Sequence, residues 1–189
     1  MRAVGQHSGN ILVAVAVAAL VLTGCTSTPP RQSQVERGKY LVTVGGCNDC
    51  HTPKIMTPAG PVPDTTRLFA GHVTGSEIPE IPAGLFAPGK WMALTNGDMT
   101  AWAGPWGVSF AYNLTPDMQT GIGGWTEELF IQTLRSGKFM GMSRGILPPM
   151  PWQNLAQMPD EDLKAIFAYL KSIKPIHNVI PQPLPPAQQ

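Results

Sequence analysis

Apolar residues fall into three arrangements along this chain. Positions 11–22 are an unbroken apolar run of twelve residues without charge or proline, preceded by Arg2. That is short of the ~20 residues a membrane-spanning helix needs, and it fits the apolar region of a signal peptide. Three later stretches show helical spacing. The first covers 34–45, with Val35, Leu41 and Val42 apolar; the second follows Thr126, with Leu129, Phe130 and Leu134; the third covers 160–174, with Leu163, Ile166, Phe167, Leu170 and Ile173 on one face. Between them, 52–113 holds eight prolines and eight glycines and no sustained period. This predicts loop, with room for a short strand or turn.

The helix ends are also legible. Thr126 suits an N-cap, Glu127 and Glu128 suit the positive end of the helix dipole, and Gly137 suits the left-handed stop. Leu129 stands where a capping box would have Glu, so that box is incomplete. Pro175 stops the third helix, whose expected partner is the first, with Gly38 allowing close approach of the two backbones. Residues 26–33 (TSTPPRQS) read as a polar tether reaching at most ~28 Å. The last twelve residues hold four prolines and read as an extended tail.

Composition narrows the function. Removing Arg2 from 13 Lys and Arg leaves 12 against 12 Asp and Glu, so the remaining chain is formally neutral. Nothing suggests nucleic acid. Charged residues are 13% of the chain, about half the ~25% of ordinary domains. Twenty prolines and twenty glycines imply a small core in long loops, poorly stable unless something supplements it.

Leu22-Thr23-Gly24-Cys25 resembles the lipobox of bacterial lipoprotein precursors. That resemblance implies a signal peptide over 1–24 and lipid on Cys25, the new amino terminus. Two or three acyl chains, at ~0.8 kcal/mol per buried CH₂, would hold the protein at its membrane. The only other cysteines, Cys47 and Cys50, stand in CNDCH, directly before His51.

C-x-x-C-H is the spacing of covalent haem c attachment. Two thiols three positions apart reach the two vinyl groups of one porphyrin, and the next residue offers an imidazole to its iron. A thioredoxin-like CxxC would need a β-α-β setting, and zinc would need at least one further ligand. A sixth iron ligand would come from later in the chain, among Met140, Met142, Met150 and Met158. Met150 lies in PPMPW, where flanking prolines stiffen the loop, whereas Met158 suits packing at the start of the third helix. His72 and His177 offer the bis-histidine alternative.

The segments GKYLVTVGGCNDCHTP, NLTPDMQTGIGGWTEELFIQTLRSG and MPWQNLAQMPDEDLKAIFAYLKSIKP resemble class I c-type cytochromes, in particular the cytochrome subunits of periplasmic alcohol and aldehyde dehydrogenases. The likeness covers about 35–53 and 113–175. It implies haem bound to Cys47 and Cys50, His51 as the proximal ligand and Met150 as the distal one. The chain departs from that pattern in having one CxxCH motif, Pro159 in place of a serine cap, and a tail instead of a membrane helix.

The expectation is an all-α class I cytochrome c fold over 34–175, three to four helices around one haem, with an enlarged loop and a tail over 176–189. The protein would be a monohaem electron carrier and not an enzyme, without a small-molecule substrate, anchored through Cys25 at a membrane facing the periplasm. Its redox partner would be a dehydrogenase or a protein on the terminal-oxidase side. A peroxidase or reductase haem, or a ligand sensor, would need an open distal position. Two charge-free runs, 101–116 and 145–159, are either an apolar docking mouth around Trp152 or buried structure. Charged docking through Lys54 and Arg144 is the competing expectation.

Overall fold

The computed structural model describes Met1 and residues 33–186. The signal segment 1–24, Cys25 and the 26–32 stretch of the tether lie outside the described residues, apart from Met1, as do 187–189. The helices are α1 (Gln34–Val44), α2 (Cys47–His51), α3 (Glu127–Ser136), α4 (Trp152–Leu155) and α5 (Asp160–Ser172). The strands are β1 (Lys54–Thr57), β2 (Gly60–Pro63), β3 (Leu94–Thr95), β4 (Ala101–Gly104) and β5 (Gly107–Phe110). None of the helices among the described residues is long and apolar enough to cross a membrane.

The pairing of α1 with α5 organises the core. A capping box starts α1: the Glu36 amide donates to the Ser33 hydroxyl at 3.2 Å, and the Ser33 amide donates to the Glu36 carboxylate at 3.0 Å. Ser33 therefore belongs to the helix cap and not to the tether, as its S-x-x-E spacing to Glu36 allows. Gly38 lies against α5 so closely that a Cβ there would stand 1.9 Å from the Ala165 carbonyl oxygen. Only glycine permits this crossing. Val42 is buried, while Val35, expected as an apolar contact, is 40% exposed. Arg37 grips Asp162 with two hydrogen bonds of 2.9 and 3.1 Å, an exposed pair that solvent screens.

Helix α3 begins as its sequence predicts, with the Leu129 amide donating to Thr126 Oγ1 at 3.1 Å, and ends at Gly137 in the left-handed region (φ 64°). Its Phe130 and Leu134 join Val42, Phe69, Ile122, Leu163, Ile166, Phe167 and Leu170 in one buried cluster. Each large side chain there contributes roughly 1.5–3 kcal/mol. Pro159 offers α5 no side-chain cap, and Arg135 instead ties the Met158 carbonyl and Asp160 at 2.7 and 2.5 Å.

The 52–113 region corrects the all-α expectation. It carries an antiparallel β1–β2 hairpin and an antiparallel sheet in the order β3-β4-β5, and the α-helices among the described residues number five, not three or four. These strands leave little trace in the sequence because they run two to four residues and lack the alternation of β-branched side chains that marks longer strands. In β4 and β5 the buried positions include Ala101, Ala103, Gly104, Gly107 and Ser109, small residues that carry little hydrophobic signal.

The chain after α5 runs extended but is bonded along its length. The Ile176 carbonyl accepts from Asn113 Nδ2 at 2.8 Å, Asn178 Nδ2 donates to the carbonyls of Ala70 and His72 at 2.7 Å each, and Leu184 pairs with Val108 on β5.

Candidate functional site

Helix α2 carries CNDCH as a single turn, so Cys47, Cys50 and His51 are fixed relative to one another by local geometry. Gly46 turns the chain into it from α1 with φ 64°. The half-buried Cys47 packs against the core cluster, and burial pushes its thiol up to about 11. Burial also raises Cys50, with the Asp49 carboxylate adding to the effect. Thiols held in the neutral form are the reverse of the low-pKa thiolate that a thioredoxin-like CxxC requires. Among the described residues no three His, Cys, Asp or Glu side chains converge on one point, so the zinc reading lacks its ligand set.

His51 is buried at 8% exposure and held from two sides. The Gly71 amide donates to its backbone carbonyl at 2.8 Å, and Nδ1 donates to the Tyr112 carbonyl at 2.8 Å. Because that carbonyl can only accept, the ring proton sits on Nδ1 and the Nε2 lone pair is left for a metal. Burial lowers the pKa of the ring, which favours the neutral ligand form. Both clamps come from within the insertion, from Gly71 and from Tyr112 near its far end. The long loop is therefore part of the site.

Thr52 extends this anchor. Its hydroxyl bonds the Asn48 side chain and accepts from the Phe69 amide, the latter at 2.8 Å, and the residue is fully buried. On the other side, Asn113 places Tyr112. Its side chain accepts from the amide and hydroxyl of Thr115 at 3.0 and 2.8 Å and donates to Thr120 Oγ1 at 3.1 Å and the Ile176 carbonyl at 2.8 Å. Sequence reasoning offers Tyr112 only as one aromatic of the charge-free 101–116 run and does not single out Asn113. The turn-forming run N-L-T-P-D is visible, but the link from Tyr112 to His51 spans 61 residues.

An aromatic group stands beside the His51 anchor: Tyr112 and Phe139 centroids are 5.1 Å apart, Trp125 and Phe139 5.8 Å, and Tyr112 and Trp125 6.2 Å. Tyr112 and Phe139 also line a cavity of about 370 Å³ together with Phe110, Arg144, Ile180 and Pro181. None of Cys47, Cys50, His51 or Met150 lines that cavity; two thiols on one helical turn and a neutral imidazole with a free Nε2 are by themselves a donor set that fits a covalently held haem.

The candidate distal ligands separate by position. Met150 is partly buried at the edge of the same core cluster that Cys47 touches. Its loop is held by Ser109 of β5, whose hydroxyl donates to the Pro148 carbonyl at 2.5 Å, and by the Trp152 amide, which donates to the Met150 carbonyl at 2.9 Å. Met158 is also partly buried there, at the start of α5. Met140 and Met142 are 43% and 78% exposed. Both nitrogens of His72 have partners, Thr100 Oγ1 at 2.8 Å and Ser76 Oγ at 3.1 Å, and exposed His177 lies 3.6 Å from Asp117.

The two charge-free runs also part company. In the 101–116 run the 101–110 hairpin is mostly buried, while Ala111, Tyr112, Leu114 and Pro116 are half-buried. In 145–159 no residue is fully buried. Trp152 nevertheless packs its ring on Gly137, where a Cβ would come within 2.5 Å of it, so this side chain covers the end of α3.

No family model matches the chain. Over 170 residues, 90% of the chain, it is 26% identical to the gluconate 2-dehydrogenase cytochrome c subunit of Pantoea cypripedii, covering 29% of that protein. Over 139 residues, 72% of the chain, it is 29% identical to the fructose dehydrogenase cytochrome subunit of Gluconobacter japonicus, covering 21% of it. A third relative, the cytochrome c subunit of the quinone alcohol dehydrogenase of Gluconobacter oxydans, is 24% identical over 172 residues, which are 90% of the chain and 28% of that protein. The chain thus spans less than a third of the length of these relatives. It resembles the cytochrome c subunits of dehydrogenases.

Proposed function

We propose that this protein is a monohaem c-type cytochrome that carries single electrons to or from a dehydrogenase. One observation carries the reading: the histidine of the only C-x-x-C-H motif is buried and neutral, with Nδ1 tied to the Tyr112 carbonyl and Nε2 free. The similarity to dehydrogenase cytochrome subunits supports it independently.

In this reading Cys47 and Cys50 would hold the haem by thioether bonds, and His51 Nε2 and Met150 Sδ would ligate its iron. A haem so bound supplies one-electron exchange at iron, and a thioether ligand raises its potential. The chain's own work is positional. The Tyr112 carbonyl sets the tautomer and plane of His51, Ser109 holds the Met150 loop, and Tyr112, Trp125 and Phe139 exclude water from the proximal edge. Ligation by Met150 would argue against a peroxidase, reductase or ligand-sensing role, each of which needs iron open to a small molecule. The uncharged 145–159 loop is the surface through which a redox partner would dock. Lipid on Cys25 would confine that encounter to a membrane facing the periplasm.

Mass spectrometry and visible spectroscopy of the protein purified from membranes test this together. The expected result is a chain beginning at lipid-bearing Cys25, one covalent haem, and a reduced spectrum indifferent to carbon monoxide. A mature chain without haem overturns the reading. A spectrum shifted at once by carbon monoxide would favour the sensor or enzyme instead.

A further inference from the structure

The carbonyls at the end of α2 need donors, and the sequence withholds one. The Asn48 carbonyl accepts from the Thr52 amide at 3.2 Å. The next carbonyl, that of Asp49, would look four residues on to Pro53, which has no N–H. Lys54 supplies the missing donor. Its Nζ donates to the Asp49 carbonyl at 2.8 Å, the Thr52 carbonyl at 2.5 Å and the Asn48 carbonyl at 3.3 Å. An ammonium has three N–H groups, and three carbonyls take them.

We propose that Lys54 is a positioning residue for the haem-attachment helix, capping the carbonyls of α2 and fixing a positive charge beside the Cys47, Cys50 and His51 set that raises its reduction potential. This rests on the haem reading above. A helix of five residues is far below the ~12 at which helices begin to hold themselves, so α2 must take its shape from what grips its ends. Cations at helix C-termini are favourable, and here the interaction is direct hydrogen bonding in a half-buried setting that salt screens poorly. The backbone of Lys54 is fixed as well, since it opens β1 opposite Pro63. A positive charge held near a redox centre favours the form carrying the extra electron, so its removal must lower the potential.

The test uses the full chain with Lys54→Met, Lys54→Gln and Lys54→Arg. Two quantities are measured: hydrogen exchange at the Thr52 amide and the midpoint potential. The Met variant should exchange about tenfold faster, the change expected from losing a hydrogen bond to a charged group, and should show a lower potential. The Gln variant keeps a donor but no charge, and should lower the potential with a smaller change in exchange. The Arg variant should stay near the parent in both. If the Met variant does not accumulate, the contrast between Gln and Arg in potential decides the matter. Parent-like exchange in the Met variant, or parent-like potential in the Gln variant, overturns the proposal. A parent chain without covalent haem would sink the haem reading instead, and the exchange comparison would still judge the cap.

Discussion

His51 donates its Nδ1–H to the backbone carbonyl of Tyr112, 61 residues further along the chain, at 2.8 Å. This bond joins the one turn that carries the attachment motif to the far end of the insertion. It also ties the ligand to the polar knot behind Tyr112, because the next residue, Asn113, is fully buried and bonded on both sides of its amide.

Asn113→Ala should therefore be costly well beyond the volume it removes. It strands the Thr115 amide and removes one of the two donors to the Ile176 carbonyl, the other being the Thr115 hydroxyl at 3.2 Å, and a loss of about 2–3 kcal/mol is expected. Urea unfolding measures the loss, and nuclear magnetic resonance of the His51 Nδ1 proton should show faster exchange. Unfolding within about 0.5 kcal/mol of the parent, the range of ordinary surface changes, would show that the knot does not matter.

Met150 and Met158 both lie at the edge of the core, and their truncations should separate ligation from packing. Met150→Ala is expected to abolish the weak long-wavelength sulfur-to-iron absorption of the oxidised protein and to lower its potential. Met158→Ala should keep that band and cost on the order of 1–2 kcal/mol in thermal or urea unfolding, since only packing is lost. The opposite pattern would transfer the ligand role to Met158.

His72 gives the fold an acid-side weakness. It is 1% exposed, its ring lies 4.8 Å from that of Phe110, and the Thr100 hydroxyl that faces Nδ1 itself donates to Asp98. Burial lowers its pKa from 6.5, with the Asp98 charge opposing. The unfolded chain then takes up the proton at higher pH than the folded one. The stability His72 contributes is complete above 6.5 and is lost as pH falls below that value toward its folded pKa. The urea midpoint should drop between about pH 7 and about pH 5, and His72→Gln should show a smaller drop over the same interval. Equal drops in the two proteins would assign the effect to other groups.

By itself the sequence determined what depends on neighbours a few positions apart. CNDCH, the Thr126 cap, the Gly137 stop and the periodic faces of α1, α3 and α5 could be read directly, because capping and helical amphipathicity are local. The pairing of α1 with α5 is expected from the sequence, where Gly38 allows a close approach, and the structure supplies that approach at Ala165. Tertiary structure alone decided the rest. The strands of the insertion, two to four residues long and with many of the buried positions of β4 and β5 held by alanine, glycine and serine, carry too little hydrophobic pattern to be seen from within. Choosing the carbonyl that fixes the tautomer of His51, and turning Lys54 onto α2, required segments distant in sequence or a proline whose missing donor matters only once the helix exists. Burial, which holds the Cys47 and Cys50 thiols and the His51 imidazole in their neutral forms, is likewise a property of the packed chain, since desolvation acts only after distant segments close around a charge.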